Sequence, residues 1–383
     1  MDSTTKVLIV ADTYHPKVDG TLMFMDEFYK RAKKDFELSY LVPKFKGSPN
    51  RKHISFFEVS KWIKLSGYNS FSLSLRNFSL LKEEIKKNEL IFVQGPALAS
   101  YLAMYYGRKY DKLVVTYIHV ITWELFEKFL KVPQWIYNPT LKLFKKIMVW
   151  LYNRCDLVLA PYNELRDTLQ NSGVTTNVEV AKLGVDIERF HPTKERSKAK
   201  EKIKINHSKT VIGYVGRVSQ EKNVMTLVKA FKSLPHQDSL HLLIVGDGEP
   251  EVVNTIKKMK NCSVTSFVRN VEDYLQAMDI FVMPSLTETT SLATLEAMAS
   301  GLPVIATKVG YIKEYISKDY NGVFFPRENA SHLGLKLQKL IEEPHLRERL
   351  GKNARKTIAY SFSWERSINK IKRILTQNIL KLR

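Results

Sequence analysis

The chain predicts an α/β protein of two doubly wound, parallel-sheet domains, and three observations carry that prediction. Short apolar runs alternate with amphipathic stretches, a polar charged segment divides the alternation into two series, and 383 residues suffice for two cores. The first series opens on the strand KVLIVA (6–11), continues with a helix from about Leu22 to Lys34, and returns as ELSYLV (37–42). LIFVQ (90–94), KLVVTYI (112–118) and LVLAP (157–161) read as further strands, with a last one between Val174 and Ala181. Such near-continuous apolar runs suit strands covered by helices on both faces. From Thr193 to Lys204 the chain reads TKERSKAKEKIK, the composition of an interdomain linker with an adjoining helix. The second series comprises TVIGYVG (210–216), a helix over 223–231, HLLIVGDG (241–248), VTSFV (264–268), DIFVMP (279–284), PVIATK (303–308) and GVFFP (322–326). The expected boundaries are 1–192, 193–360 and a final segment 361–383, with a cleft between the two domains.

Composition narrows the classes. Hydrophobic residues at 44% and charged residues at 26% describe a folded globular chain rather than a disordered one. Two cysteines, Cys155 and Cys262, have no metal-ligand spacing, which suits a reducing cytoplasm and argues against a disulfide framework or a cysteine zinc site. The apolar run at residues 6–11 is too short for a signal peptide, and no run is long enough to span a bilayer. The net charge of +21, from 60 Lys+Arg against 39 Asp+Glu, has two readings. It reflects a polyanionic partner, nucleic acid or an anionic membrane, or a lysine-rich compositional bias. No nucleic-acid-binding module is recognisable, and nucleic acid is not expected as a partner.

The stretch PSLTETTSLATLEAMASGLPVIA (284–306) concentrates the chemistry. Thr289, Thr290 and Ser291 are N-cap residue types, and a helix follows until Gly301 and Pro303. Strand, loop, helix and strand place Glu288 at the carboxyl edge of a parallel sheet, with Glu296 about two turns deeper. Spacing alone favours a capping carboxylate and a buried, hydrogen-bonded Glu. In GYVGRVSQEKN (213–223), Arg217 and Lys222 stand five apart before a helix, where they could converge on a diphosphate or simply face solvent. HLLIVGDGEPE is a strand with a glycine-rich turn, a weak signal by itself.

Taken in order, GRVSQEKN, LLIVGDGEPE, YLQAMDIFVMPSLTETTSLATLEAMASGLPVIATKVG, EYISKDYNGVFFP and SFSWE resemble the GT4 family of retaining, nucleotide-sugar-dependent glycosyltransferases. The resemblance spans about 205–370 closely and the N-terminal half more loosely. It implies a GT-B fold: two Rossmann-like domains facing a central cleft, with the C-terminal helix crossing back to the N-terminal domain. By resemblance, Glu288 lies beside the donor sugar, Glu296 accepts hydrogen bonds from the nucleotide ribose, and Thr289, Thr290, Ser291 and Leu292 offer backbone N–H groups to the diphosphate. Arg217 and Lys222 match the cationic pair that stabilises the departing nucleoside diphosphate, so neither a metal ion nor a separate cofactor is implied. Gly216, Gly246 and Val268 fall in the nucleotide-sugar site. A strand-end histidine is ordinarily structural, but His119 matches the position that approaches the donor sugar. Asp19-Gly20 matches a flexible glycine loop near the diphosphate. The chain departs from the pattern at Asp19, Thr289-Thr290, Arg269 and Tyr311, and at no charged catalytic position.

On the acceptor side, residues 123–152 hold eight aromatics and prolines at 133 and 139 that break the stretch into short pieces. Short lysine-rich, aromatic helices suit a membrane interface, while a core-facing helix pair is an equal reading for 140–152. KWIKLSGYNSFSLSLRNFSLLK (61–82) repeats the theme, with Trp62, Tyr68 and Phe71 placed at the surface. With the net charge, these stretches point to a lipid or lipid-linked acceptor at an anionic cytoplasmic leaflet. The alternative is a soluble GT4 enzyme that makes a disaccharide or small glycoside.

Overall fold

The computed structural model describes residues 4–17, 19–65, 68–121, 123 and 134–382, with the side chains of 61–69, 134–136 and 382 left aside. Fifteen strands are formed by the described residues. In chain order they are β1 (Lys6–Val10), β2 (Glu37–Pro43), β3 (Ile54–Phe57), β4 (Val59–Leu65), β5 (Tyr68–Phe71), β6 (Leu90–Val93), β7 (Leu113–Tyr117), β8 (Leu157–Ala160) and β9 (Val178–Val180). The second group is β10 (Thr210–Val215), β11 (Leu240–Val245), β12 (Cys262–Val264), β13 (Ile280–Met283), β14 (Val304–Thr307) and β15 (Val323–Phe325).

Two compact units result, one of residues 1–182 with 367–383, the other of 183–366. The first holds a seven-stranded parallel sheet in the order β3-β2-β1-β6-β7-β8-β9. The second holds a six-stranded parallel sheet in the order β12-β11-β10-β13-β14-β15. In both, the strand order reverses beside the first strand of the unit, at β1/β6 and at β10/β13. That switch point is where open α/β sheets leave a crevice at the carboxyl ends of their strands. Central strands are buried on both faces, as the uninterrupted VLIV, LIFV and IFVM runs require.

The segment 193–204 is not a free linker. Its helix Arg196–Lys202 packs on the helix Val271–Ala277 inside the second unit. Lys200, 6% exposed, sets its ammonium 2.7 Å from Asp279 Oδ2 and donates to the Lys209 carbonyl at 2.7 Å. A lysine-rich stretch thus conceals one lysine that belongs to the core, and its partner is 79 positions away. At the other end, the helix Trp364–Leu382 carries its last sixteen residues in the first unit, where Lys372 pairs with Asp35 at 3.0 Å.

Several local expectations change. VTSFV (264–268) yields only the edge strand β12, because beyond Val264 the Thr265 hydroxyl takes the Gly246 N–H at 3.0 Å and the chain turns away. Phe71 is not at the surface. It ends the β4–β5 hairpin at 0% exposure, packed between the rings of Phe57 (5.1 Å) and Phe78 (5.7 Å). The side chains of Trp62 and Tyr68 lie outside the described residues, as does most of 122–133. Pro139 does not break its helix, which runs from Gln134 to Tyr152. Placed within its first two turns, the proline forfeits one backbone bond near an end that leaves N–H groups unpaired anyway.

Candidate active site

The sheet switch point of the second unit gathers most of the expected residues. β10 runs into Gly216, whose φ of +147° and whose missing Cβ, otherwise 2.6 Å from the Tyr214 hydroxyl, both demand glycine. Gly246 after β11 is held as tightly: φ is +141°, and a Cβ would lie 2.0 Å from the Gly216 carbonyl oxygen. The Gly216 N–H donates to the Val245 carbonyl at 3.0 Å. Two strand-end loops therefore press together, and Arg217 leaves them at the surface, 68% exposed and 2.8 Å from Glu221 Oε1. An exposed pair of this kind holds its arginine weakly, so an arriving anion can take it.

Lys222 closes the 3-10 turn Gln220–Lys222 and is far less exposed, at 21%. Its ammonium lies 2.7 Å from Glu288 Oε1, an oxygen that also accepts from the Ser285 hydroxyl at 2.7 Å. Glu288 is 7% exposed at its side chain. Backbone ties hold the two loops in register: the Leu286 N–H donates to the Glu221 carbonyl at 2.8 Å, and the Asn223 amide to the Pro284 carbonyl at 3.3 Å.

The loop from Glu288 to Ser291 is pinned from the far side by Gly310. Its φ is +50°, and a Cβ would clash with the Glu288 carbonyl oxygen. The Tyr311 N–H donates to the Thr289 carbonyl at 2.9 Å, and the Tyr315 hydroxyl to the Thr290 carbonyl at 2.9 Å. The Thr290 hydroxyl is buried with no partner among the described residues. Ser291 occupies the N-cap of the helix Leu292–Ala299 but makes no capping bond: with φ at 54°, its hydroxyl meets the Thr294 hydroxyl at 2.7 Å. The expected Ser/Thr cap is thus absent, and the first-turn N–H groups face no side-chain acceptor of their own. An uncapped helix end beside two cations is a place for an anion.

Glu296 sits on the same helix, 7% exposed, next to Leu295, Ala297 and Met298 at 0%. No described residue donates a hydrogen bond to its carboxylate. Burial pushes its pKa up to about 7; the charge of Arg189 opposes that rise and Glu272 adds to it. Arg189 is itself held by Glu272 at 2.7 Å and by the Arg269 carbonyl at 2.6 Å. The hydrogen-bonded structural reading of Glu296 therefore fails. What stands is a largely buried carboxylate with no donor among the described residues, its oxygens not sealed from solvent. Val268 is half-buried in the irregular segment that supplies Arg269.

His119 and Gly20 belong to the first unit. His119 follows β7, half-buried, with its ring centroid 4.7 Å from that of Tyr117 and 5.4 Å from that of Phe24. Its Nε2 lies 3.0 Å from Gln94 Oε1. Burial lowers its pKa to about 4 against the opposing charge of Asp19, so the ring is neutral at pH 7. Asp19-Gly20 is not a free glycine loop. Gly20 is the first residue of the helix Gly20–Ala32, and Asp19 is its N-cap, accepting from the Leu22 N–H at 2.9 Å and the Thr13 hydroxyl at 2.6 Å.

Ser285, Arg189 and Gln94 were not singled out by the sequence. Ser285 stood inside the motif and Gln94 at the end of a strand, where position was the available signal. Arg189 had none, since Glu272 is 83 residues distant. Among the described residues no group of three or more His, Cys, Asp or Glu could hold a metal ion.

A doubly wound sheet whose switch point carries two cations, a helix end without a side-chain cap and a largely buried carboxylate is electrostatically suited to an anionic ligand. Comparison with known proteins names the class. Residues 23–189 match the model of Glycosyltransferase Family 4 and residues 195–357 that of Glycosyl transferases group 1. The chain belongs to this family of glycosyltransferases. Among its relatives is an uncharacterized glycosyltransferase of Methanocaldococcus jannaschii, 24% identical over 96% of this chain and 97% of its own. An alpha-monoglucosyldiacylglycerol synthase of Streptococcus pneumoniae is 24% identical over 90% of this chain and 80% of its own length. The Acholeplasma laidlawii protein of the same name is matched over 57% of its length, at 28% identity. Anabaena HepE, solved in complex with UDP, shares the fold at a TM-score of 0.80 and 17% identity, covering 97% of this chain and all of that one. The two Rossmann-like units are those of a GT-B glycosyltransferase.

Proposed function

We propose that this glycosyltransferase moves a sugar from a nucleoside-diphosphate sugar to a hydroxyl of a membrane lipid or lipid-linked acceptor, with retention of configuration and without a metal ion or other cofactor. The observation that carries the donor half is Glu296, a largely buried carboxylate to which no described residue donates, on the helix that follows the Lys222–Glu288 pair along the chain. Ribose hydroxyls supply the missing donors. Arg217, Lys222 and the N–H groups at Thr290, Ser291 and Leu292 neutralise the diphosphate as it departs, work that a divalent cation does elsewhere. Glu288 lies beside the sugar. Relatives whose names state a GDP-mannose donor or a glucosyldiacylglycerol product support this reading.

The acceptor half is supported by the helix Gln134–Tyr152, which carries no carboxylate. Leu143, Ile147 and Trp150, at 60%, 46% and 45% exposure, follow one another along one face. Lys142, Lys145 and Lys146 accompany them and line, with Val149 and Trp150, a surface cavity of ≈ 360 Å³. Among the described residues no helix is long and apolar enough to cross a membrane. The lysine-bearing face of this helix and the relatives named for glucosyldiacylglycerol synthesis support a peripheral place at the cytoplasmic face.

A panel of nucleotide sugars, scored by donor hydrolysis and by transfer to lipid acceptors, tests the proposal. An α-linked donor is expected to give an α-linked product by NMR with chelator present, and a β-linked product overturns the retaining assignment. Glu296 gives a second prediction. Ribose hydroxyls favour its ionised form, so nucleotide affinity is expected to rise with pH through about 7 and then level. The sign follows from a raised pKa: below about 7 the free protein holds a proton that binding must expel. Calorimetry near pH 6.5 in buffers of different ionisation enthalpy should show that release. Glu296→Gln should remove it, with affinity weaker by about 1.5–3 kcal/mol at pH 8, while any release from the phosphate itself persists. Equal proton release in both proteins would return Glu296 to a structural role.

A further inference from the structure

The switch point of the first unit, between β1 and β6, holds a polar side chain that the donor-site argument does not use. Gln94 follows β6 directly, is 0% exposed, and its N–H donates to the Val10 carbonyl at 2.8 Å. The neighbouring residue must be glycine, since a Cβ on Gly95 would lie 2.8 Å from Asp12 Oδ2. Asp12 itself is occupied, accepting from the Ser100 hydroxyl at 2.5 Å and the Ala99 N–H at 3.2 Å. The chain thus brings Gln94 to the carboxyl edge of the sheet under tight constraint. Its side chain makes one contact, Oε1 to His119 Nε2 at 3.0 Å, and its amide nitrogen has no partner among the described residues.

With the amide oxygen toward the ring, the tautomer follows. A buried glutamine placed to tie a core together ordinarily uses both ends, because an orphaned amide N–H is costly. This one uses a single end, and uses it on His119. An amide oxygen only accepts, so the hydrogen between the two groups belongs to the ring, on Nε2. A neutral imidazole carries one N–H, so Nδ1 is then bare and is an acceptor.

We propose that Gln94 is a positioning residue for His119: it locks the Nε2–H tautomer and leaves Nδ1 bare as an acceptor at the carboxyl edge of the first sheet. The inference rests on the glycosyl-transfer reading for its effect on turnover, though not for the tautomer. Packing of Tyr117 and Phe24 against the ring fixes its plane, and Gln94 fixes which edge is bare. The charged groups around it, Asp19 and Asp12, are both engaged in helix caps and do not compete for the ring proton.

The test uses the full chain with 15N-labelled histidine, the His119 signals being assigned by their loss in His119→Asn. The wild type is expected to show a single neutral tautomer with hydrogen on Nε2; hydrogen on Nδ1 would overturn the proposal. Gln94→Leu should populate both tautomers and lower kcat by about tenfold or more, as a misplaced catalytic group does. Nucleotide affinity should stay unchanged in the same variant, which also shows that the protein is folded. Gln94→Glu, whose carboxylate can hold the same ring hydrogen, should restore the single tautomer and most of the turnover. A wild-type kcat or an unmixed tautomer in Gln94→Leu overturns the role. Absence of turnover with every nucleotide sugar in the wild type would overturn the functional reading alone, since the tautomer measurement stands without it.

Discussion

Lys222→Ala is expected to lower turnover by about 10²–10³-fold at saturating donor, the cost of removing one preorganised group aimed at developing negative charge. The geometry makes this lysine the more consequential of the two cations. Its ammonium is only 21% exposed and is already held 2.7 Å from Glu288, so no side-chain search precedes the reaction. Arg217 is 68% exposed and must first leave Glu221. Arg217→Ala should therefore also cut turnover, but with less effect on the free protein, whose unfolding midpoint should not move. In Lys222→Ala the Glu288 carboxylate keeps the Ser285 hydroxyl and loses its charge partner, so a modest fall in unfolding temperature should accompany the lost activity. Steady-state kinetics beside a thermal melt separate the two effects. Near-normal turnover in both variants would remove the diphosphate assignment.

The same loops show why part of this site was legible in the sequence. Parallel strands buried on both faces write themselves as continuous apolar runs, so β1, β6, β10 and β13 and their carboxyl edges could be placed without coordinates. Arg217, Lys222 and Glu288 follow within two to seven residues of those edges, Glu296 sits on the next helix, and their order along the chain carried the family resemblance. What the sequence left out was set by distant partners. Lys200 looks like any lysine of a charged stretch until Asp279 is brought to it. Phe71 has the neighbours of a surface aromatic, but the β4–β5 hairpin folds it between two rings. Ser291 is a good cap by residue type, but its left-handed backbone and the Thr294 hydroxyl take it out of that role. The state of Glu296 was the least legible of all. A pattern can place a carboxylate in an apolar helix, but only the fold shows that nothing in the described chain hydrogen-bonds to it.

Replacing Lys142, Lys145 and Lys146 by Glu is expected to release the protein from anionic vesicles while leaving nucleotide affinity intact. The helix Gln134–Tyr152 explains the size of the effect. Its equal alternative, a core-facing helix, holds for one side: Met148 at 0% exposure and Leu151 and Tyr152 beside it are buried. The opposite side presents Leu143, Ile147 and Trp150, with Trp150 stacked on Tyr105 (6.4 Å) and under the Arg154 guanidinium (4.2 Å). A lysine near an anionic leaflet is worth about 1 kcal/mol, so three together contribute roughly a hundredfold in partitioning, and their reversal replaces attraction by repulsion. Salt separates the two components. Raising it shortens the Debye length and should weaken wild-type binding without abolishing it, because Leu143, Ile147 and Trp150 insert independently of charge. Leu143→Ser with Ile147→Ser should give the complementary result, binding at low salt that vanishes at high salt. Vesicle co-sedimentation reads both. A wild-type protein that ignores anionic vesicles at low salt would overturn the membrane assignment and leave an acceptor free in solution.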